Sequence, residues 1–320
     1  MINAAFMPLW ALILLFICGL ILIMKGGDLF VDAAVWIAEI SGVPQFVIGA
    51  TVVSFATTIP ELIVSCIGAA RGSNEIAIGN AIGSVTANTG LIMAISIICI
   101  PAAAERRRYA FKSVMLILAA AVVYASAAGG RFSKAGGAVL LVIFAASIYE
   151  SLKTAKGDNL AAEKPDFSRA EIPANIAKFI FGTAGIIFGA DFLVASATEI
   201  AAACGVPEEV ISATVVAVGT SLPELVTTVT AIVKKQSSLS VGNIIGANLI
   251  DISVILPVCS LISSDGLTAC PQNIFTDMPA CILVLCIALL PMLFRGRFTR
   301  LQGFVLLAVY TAYVLIITIL

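Results

Sequence analysis

Two segments of this chain decide its fold: residues 54–61 read SFATTIPE and residues 217–224 read AVGTSLPE. Each segment ends in a proline followed by a glutamate, and the two prolines, Pro60 and Pro223, are 163 residues apart. The same offset aligns further identical stretches without a gap. They are residues 42–44 with 205–207, 50–53 with 213–216, and 79–80 with 242–243. The chain therefore contains an internal repeat, and its halves descend from one unit.

The composition places the chain in a membrane. Its 320 residues are 60% hydrophobic and only 12% charged, whereas roughly a quarter of the residues of soluble domains are charged. Apolar runs long enough to cross a bilayer, about 20 residues each, predict ten spans. They fall at residues 7–38, 44–70, 75–100, 110–128, 134–152, 173–203, 207–233, 238–263, 276–293 and 301–319. The first and sixth exceed the bilayer requirement, so we expect long, tilted helices there.

The repeat and the spans together predict an all-α integral membrane protein of inverted symmetry. Residues 1–152 form the first five-helix repeat, residues 153–172 a cytoplasmic linker, and residues 173–320 the second repeat. Because five is odd, the second repeat enters the membrane in the opposite orientation. Inverted repeats are typical of secondary transporters, with the substrate site near the midplane between the repeats.

The positive charges predict the orientation. Thirteen of the 18 Lys and Arg residues lie between spans 3 and 4, 5 and 6, 7 and 8, or 9 and 10. These are Arg106, Arg107, Arg108, Lys112, Lys153, Lys156, Lys164, Arg169, Lys234, Lys235, Arg295, Arg297 and Arg300. Only Arg71, Arg131 and Lys134 lie on the other side. Since cytoplasmic loops carry the excess of Lys and Arg, both termini are predicted outside.

The composition also excludes several function classes. The chain has no histidine, which rules out histidine triads, HExxH zinc sites and histidine-ligated haem. A net charge of −1 offers no basic surface for nucleic acid. The eight cysteines show no CxxC spacing, so they indicate neither a disulfide framework nor a metal cluster. We therefore expect no enzyme, no cofactor and no protein partner, only the lipid bilayer and a transported substrate.

The repeated segments carry the candidate site. A proline inside a helix cannot donate to the carbonyl four residues before it, so carbonyls near residues 54–56 and 217–219 are expected to be bare. Each glutamate has a hydroxyl one turn before it on the same face and another beside it. These hydroxyls belong to Thr57 and Thr58 for Glu61, and to Thr220 and Ser221 for Glu224.

Spans three and eight add a polar stripe to each half. Asn80, Ser84 and Asn88 are spaced four apart, and the offset matches them with Asn243, Ala247 and Asp251. Gly79 and Gly83, like Gly242 and Gly246, form small-xxx-small pairs that allow close packing against the proline-containing spans. For Ser84, Thr58, Asn80 and Asn243, hydrogen bonding between helices is an equally good interpretation.

The three acids point to cations. An ionised carboxylate at the bilayer centre costs about 2.5–3.5 kcal/mol on insertion scales, and no Lys or Arg lies at that depth to compensate Glu61, Glu224 and Asp251. An all-oxygen ligand set favours Ca²⁺, Mg²⁺, Na⁺ or K⁺ over transition metals, and the six to eight oxygens available suit Ca²⁺ best. Asp28 matches Asp191 in the repeat, and Lys25 is its candidate partner.

At these residues the chain resembles the sodium/calcium exchangers of the calcium/cation antiporter superfamily, in particular its prokaryotic branch. The resemblance implies that Glu61 and Glu224 are the central calcium ligands, with Thr57 and Thr220 beside them. It also implies backbone ligands at Ser54 and Ala217. Sodium sites would be completed by Thr58, Ser84, Asn88, Ser221 and Asp251.

The resemblance further implies an antiporter that exchanges Ca²⁺ for Na⁺ in the inner membrane of a bacterial or archaeal cell and exports Ca²⁺. Spans one and six would slide across the other eight. Two departures from the family pattern concern Ala247, where a serine is usual, and Asp251, where the animal sodium/calcium branch has an amide. The first leaves the sodium affinity or stoichiometry open, and the second leaves potassium dependence open. Coupling to protons is a further alternative, because three neighbouring carboxylates cannot all stay ionised when the site is empty. A cation channel is a weaker alternative, because channels usually have rotational symmetry.

Overall fold

The computed structural model describes residues 7–70, 72, 74–100, 106–159, 171–205, 219, 221–263 and 266–319. The helices are α1 (Leu9–Ser41), α2 (Gln45–Thr57), α3 (Ile59–Ala70), α4 (Ala77–Cys99), α5 (Arg106–Ala127), α6 (Lys134–Asn159), α7 (Glu171–Ala203), α8 (Leu222–Val233), α9 (Ser237–Ile262), α10 (Asn273–Arg295) and α11 (Arg300–Ile319). Over these ranges the β-structure is limited to isolated bridge residues: Arg131 and Thr268 form an antiparallel bridge, and Arg297 is another bridge residue.

Most of the predicted spans are present as helices. Eight helices in the described part of the chain are long and apolar enough to cross a membrane, and α2 with α3 makes a ninth span bent by 47°. The prediction of an all-α, multi-pass membrane protein is confirmed. The seventh predicted span, residues 207–233, is described only over α8 and a few neighbouring residues, so the count of ten remains a prediction.

The longest helices, α1 and α7, pack against each other through glycines. Each has 33 residues, about 50 Å at 1.5 Å per residue, against a hydrocarbon core of about 30 Å. A Cβ on Gly26 would lie 2.9 Å from the Gly182 carbonyl oxygen, and a Cβ on Gly19 would lie 2.9 Å from that of Gly189. Residue numbers rise along one helix as they fall along the other, so the pair is antiparallel.

This crossing follows the internal repeat. The 163-residue offset relates Gly19 to Gly182 and Gly26 to Gly189. The reverse contacts have the same length, because a Cβ on Gly182 or Gly189 would lie 2.9 Å from the carbonyl oxygen of Gly26 or Gly19. The two helices therefore meet through equivalent residues, as two-fold symmetry requires.

A second close approach brings α2 against α9. A Cβ on Gly49 would lie 2.5 Å from the Leu239 carbonyl oxygen, and a Cβ on Gly246 would lie 2.7 Å from that of Ala50. Helix α9 is almost wholly buried, whereas α1 and α7 expose most of their surface. The small residues therefore place the polar stripe of α9 in the centre of the molecule, beside the proline-containing span.

The loops are sorted onto two faces. On the first, which we call the linker face, Phe46 packs on Tyr109 with ring centroids 4.2 Å apart, and Tyr109 packs on Phe298 at 6.3 Å. On the second, the hairpin face, the Phe132 amide donates to the Leu267 carbonyl over 2.8 Å. Loops that the charge pattern assigns to one side of the membrane are thus together in the structure.

Lys112 is an exception to the charge pattern. It lies inside α5 rather than in a loop, it is 1% exposed, and its ammonium is 5.2 Å from the centre of the Phe46 ring. The sequence analysis counted it between spans 3 and 4, whereas the structure places it within a helix that begins at Arg106, six residues before it. Its charge is held by a cation–π contact that ties α5 to the start of α2.

Candidate ion-binding site

The second span breaks at Thr58, and the break orients the site. Thr58 has φ −86° and ψ 1°, between the last residue of α2 and the first of α3. Pro60 disfavours a continuous helix at this point because it has no N–H to donate. The repeat-related residue, Ser221, has nearly the same conformation, φ −88° and ψ 7°, directly before α8. Both glutamates therefore lie in the first turn of a helix that starts near the middle of the protein.

The three predicted acids are brought together. Glu61, Glu224 and Asp251 are each 1% exposed. Glu61 interacts electrostatically with both of the others, and Asp251 interacts with Glu224. Three acids from the two halves thus occupy one buried region, as the sequence predicts.

Most of the buried polar atoms that lack a hydrogen-bond partner surround these acids. Among the described residues there are eleven such side-chain atoms. Nine are oxygens of the site helices: both of Glu61, both of Asp251, Oε2 of Glu224, Oδ1 of Asn88, Oδ1 of Asn248, and the hydroxyls of Ser221 and Thr228. Buried polar groups normally have partners. Seven of the nine are carboxylate or amide oxygens without a donor, and a cation would satisfy such a cluster.

The carbonyl of Ser54 is not bare, contrary to the expectation from sequence. It accepts hydrogen bonds from the Thr58 amide over 3.0 Å and from the Thr58 hydroxyl over 2.7 Å, and the Thr57 hydroxyl is 3.3 Å away. The hydroxyls fold back on this carbonyl because it is one turn before them. The proline removes a donor only from the carbonyl of Ala56, four residues before Pro60.

Thr58 also links the two halves. Its Oγ1 is 3.3 Å from Oε1 of Glu224, on the other side of the repeat. The Thr57 hydroxyl is 3.4 Å from Oδ1 of Asn243 on α9. Both predicted threonines therefore lie at the interface of the repeats and are buried.

Asn88 and Asp251 occupy equivalent backbone positions that the sequence did not predict. Each is the first residue of a π-helical turn, Asn88–Met93 in α4 and Asp251–Ile255 in α9. Such turns are rare and often occur at functional sites, because the extra residue rotates side chains relative to the preceding helix. The repeat-related amide and acid thus share a local geometry as well as a sequence position.

Asn80 and Asn243 bond between helices, which supports that interpretation of them. Asn80 Nδ2 donates to the Ser65 hydroxyl over 2.9 Å, and Asn243 Nδ2 donates to the Thr227 hydroxyl over 3.0 Å. Ser84 is buried, and Ala247, in the equivalent position of the second half, is fully buried without a hydroxyl. The two polar stripes are therefore unequal at this level.

Two predicted ligands, Thr220 and Ala217, lie outside the described residues. Among the residues that the structure describes, no three Asp, Glu, His or Cys side chains are grouped closely enough to form a metal site by themselves. Any cation held here would need hydroxyl, amide or carbonyl oxygens in addition to carboxylates.

Thr228 and Asn248 were missed by the sequence analysis. Thr228 lies four residues after Glu224, on the same helical face, and its buried hydroxyl has no partner. Asn248 is buried in α9, where its Nδ2 donates to the Thr89 hydroxyl over 2.8 Å and its Oδ1 is left without a donor. The four-residue spacing from Glu224 could have identified Thr228 as a site residue. The sequence offered no such pattern for Asn248, because the equivalent residue of the first repeat is Val85.

Asp28 has a different partner from the one expected. In the described part of the chain it pairs with Lys234, whose Nζ is 3.5 Å from its Oδ1, and not with Lys25. The sequence pointed to the nearby lysine because only neighbours along a helix are visible without the tertiary structure.

The fold and the site together define a multi-pass membrane protein with a buried cluster of oxygen atoms that have no hydrogen-bond partners among the described residues. The family model "Sodium/calcium exchanger protein" matches residues 11–153 and 174–319. The chain therefore belongs to the sodium/calcium exchanger family, a family of transporters, and the predicted resemblance is confirmed.

Individual relatives agree with the family assignment. The chain is 30% identical to the sodium/calcium exchanger MaX1 of Methanosarcina acetivorans, over 95% of this chain and 97% of that protein. It is 33% identical to an uncharacterized membrane protein of Methanocaldococcus jannaschii, over 92% and 94%. A solved structure of the sodium-calcium exchanger NCX_Mj, soaked with 2.5 mM Na⁺ and 10 mM Sr²⁺, superimposes with a TM-score of 0.82 at 30% identity, covering 95% of this chain and 98% of that one.

Proposed function

We propose that this chain is a secondary active antiporter that exchanges Ca²⁺ for Na⁺ across a bacterial or archaeal inner membrane and exports Ca²⁺ by alternating access. The observation that carries the proposal is the cluster of buried carboxylate oxygens without donors, contributed by both halves of the repeat. Membership of the sodium/calcium exchanger family supports the same function.

The calcium ion is proposed to bind between Glu61 and Glu224. Two carboxylates supply the two negative charges that a divalent cation needs when it loses its water. The Thr57 and Thr220 hydroxyls and a backbone carbonyl would bring the ligand set towards the six to eight oxygens that Ca²⁺ takes. The Ala56 carbonyl is better placed for this role than that of Ser54, which already accepts hydrogen bonds.

Sodium ions are proposed to use the oxygens around this centre. Candidate ligands are Thr58, Ser84, Asn88, Ser221, Asp251 and the backbone of Ala217, together with Thr228 and Asn248. Ca²⁺ and Na⁺ would share the carboxylates, so binding of one would displace the other. Competition of this kind is what couples their movements.

Alternating access is proposed to follow from inverted symmetry. The reciprocal glycine contacts of α1 and α7 support a two-fold axis through that crossing, and they would hold the two helices together as a pair that slides across the rest of the protein. The Lys and Arg count supports placing the linker face in the cytoplasm and both termini outside.

Two other couplings use the same site. Three acids in mutual electrostatic range hold protons when no metal is bound, so Ca²⁺/H⁺ exchange is the first alternative. Asp251 adds a third negative charge near the sodium ligands, which makes potassium-dependent exchange the second. The hydroxyls of Thr58, Ser221 and Thr228 favour sodium, because a proton carrier does not need them.

The test is ⁴⁵Ca²⁺ uptake into proteoliposomes with one ion gradient at a time. We expect uptake into Na⁺-loaded vesicles in Na⁺-free medium, and none when the only gradient is K⁺ or pH. Uptake driven by a pH jump alone would replace the proposal with Ca²⁺/H⁺ exchange. Unitary currents in a planar bilayer would replace it with a channel.

A further inference from the structure

The two halves of the proposed ion pathway are in different states. On the hairpin-face side of the site, a cavity of about 230 Å³ lies between α3, α7 and the start of α8, and Val64, Asp191 and Val194 line it. The repeat offset carries Val64 onto Thr227 and Val194 onto Val31. On the linker-face side, Val31 and Thr227 line a space that has no room for a water molecule, because Phe30, Val31 and Ala34 pack around it.

The closed side carries an ion pair between helices. Lys234 follows α8, and its Nζ is 2.7 Å from Oδ1 of Asp32, 3.5 Å from Oδ1 of Asp28 and 3.0 Å from the Asp28 carbonyl oxygen. Asp28 and Asp32 are one helical turn apart on α1. Lys234 thus holds two successive turns of α1 against the end of α8, immediately beside the closed position.

The geometry of this pair makes it sensitive to a movement of α1. Because Asp28 and Asp32 are one turn apart, a displacement of α1 by one turn, about 5.4 Å, still leaves a carboxylate near Lys234, whereas a displacement by two turns, about 11 Å, carries both carboxylates out of its reach. The Lys234 side chain is 25% exposed and the Asp28 and Asp32 side chains are 55% exposed, so water can solvate all three groups after separation. The contact is therefore reversible, unlike the buried glycine crossing.

We propose that Lys234, with Asp28 and Asp32, is a latch that holds the linker-face side of the ion pathway closed while the hairpin-face side is open. Lys234 is a positioning residue: it contacts α1 and not the transported ions. This inference rests on the proposed alternating access. Loss of the latch shifts the protein towards the opposite state, with the linker-face side open.

The test uses two equivalent reporters, Val31→Cys on the closed side and Val194→Cys on the open side, each in a chain whose eight native cysteines are replaced. The rate of reaction with a charged methanethiosulfonate is measured in detergent, where both faces are accessible. In the parent chain Val194→Cys should react at least tenfold faster. Adding Lys234→Gln should raise the rate at Val31→Cys several-fold and lower it at Val194→Cys.

Controls separate a latch from a merely structural role. Lys235→Gln removes the adjacent charge, for which the described residues show no ion pair with α1, and should change neither rate. Lys234→Arg should restore the parent rates, and Asp32→Asn should act like Lys234→Gln. A general loss of packing would raise both rates together, and that result overturns the proposal, as does no change at either reporter.

The outcome is distinguishable from failure of the proposed function. If the parent chain exchanges Ca²⁺ for Na⁺ in proteoliposomes but Lys234→Gln leaves both reporters unchanged, only the latch is wrong. If the parent chain shows no exchange while the reporters respond to Lys234→Gln, the latch stands as a conformational contact and the transport assignment fails.

Discussion

Glu61 and Glu224 have matching sequence surroundings but different hydrogen bonds. Oε1 of Glu224 is bonded to the Thr58 hydroxyl, whereas neither oxygen of Glu61 has a partner within the described residues. Asp251, which the repeat matches with an amide, also has two oxygens without partners. At the scale of single residues the hydrogen bonding of the site is therefore asymmetric, although the two repeats that contribute its residues have nearly the same sequence pattern.

Removing either glutamate charge should abolish exchange. Glu61→Gln and Glu224→Gln each take away one of the two charges that offset the dehydration of Ca²⁺. We expect Na⁺-driven ⁴⁵Ca²⁺ uptake to fall at least a hundredfold while the protein elutes as before in size-exclusion chromatography. Glu39→Gln makes the same chemical change at an exposed position of α1 and should transport normally. Parent-like uptake in either site variant would disprove the assignment.

Asp251→Asn should affect the apparent Na⁺ affinity more than the transport of Ca²⁺. Glu61 and Glu224 already supply two charges for Ca²⁺, whereas bound Na⁺ ions use the third. We expect the apparent Na⁺ affinity to weaken severalfold and Ca²⁺/Ca²⁺ exchange to change little. The two modes are compared in the same vesicles, at pH 7 and at acid pH, where competition by protons should be reduced in the variant. An equal fall in both modes would make Asp251 a calcium ligand.

At the scale of elements, glycine decides how the helices meet. At the crossing of α1 and α7 the two backbones are in direct contact, so a side chain at its centre would clash with backbone atoms of the other helix. Around Gly182, for example, a Cβ would lie 2.6 Å from the Phe30 amide nitrogen and 2.9 Å from the Gly26 carbonyl oxygen. Backbone cannot yield as a side chain does, so the positions of the two helices depend on these residues.

Gly182→Ala should therefore destabilise the protein more than an equivalent change elsewhere. Overpacking typically costs about 1–3 kcal/mol, and we expect a lower apparent Tm in detergent together with reduced exchange. Gly137→Ala in α6 is the control, since its Cβ would meet its nearest neighbour at 3.6 Å, an ordinary contact. If the two substitutions lowered Tm equally, close packing at the crossing would not be the cause.

At the scale of the whole molecule, the loop contacts define two faces, and the side of the membrane on which each face lies can be measured. The linker face has most of the Lys and Arg residues, and the hairpin face contains the segment around Cys270, whose Sγ is 3.1 Å from Oδ1 of Asn273.

A thiol reagent should fix the orientation. In intact cells, a chain retaining Cys270 as its single cysteine should react with a membrane-impermeant maleimide, because the positive-inside rule places this segment outside. Lys235→Cys in the cysteine-free chain is the matched reporter for the linker face, and it should react only after permeabilisation. The reverse pattern would invert the topology.

The sequence by itself predicted most of the elements and singled out the candidate residues at the centre of the site. Apolar length and charge placement gave the spans, since a bilayer requires about 20 apolar residues whatever the neighbours are. The repeat singled out Pro60, Glu61 and their equivalents, because a proline and an acid in an apolar segment are expensive unless they serve a site. These are local or periodic patterns, and they can be recognised in the sequence alone.

Only the tertiary structure decided which groups meet and which remain without partners. It paired Lys234 with Asp28 and Asp32, some 200 residues away, and it placed a cavity in one half of the pathway but not in the other. The physical reason is that both depend on the relative positions of packed helices. Two halves with nearly the same sequence pattern can occupy two different arrangements, and a sequence pattern that is the same in both cannot say which half is open.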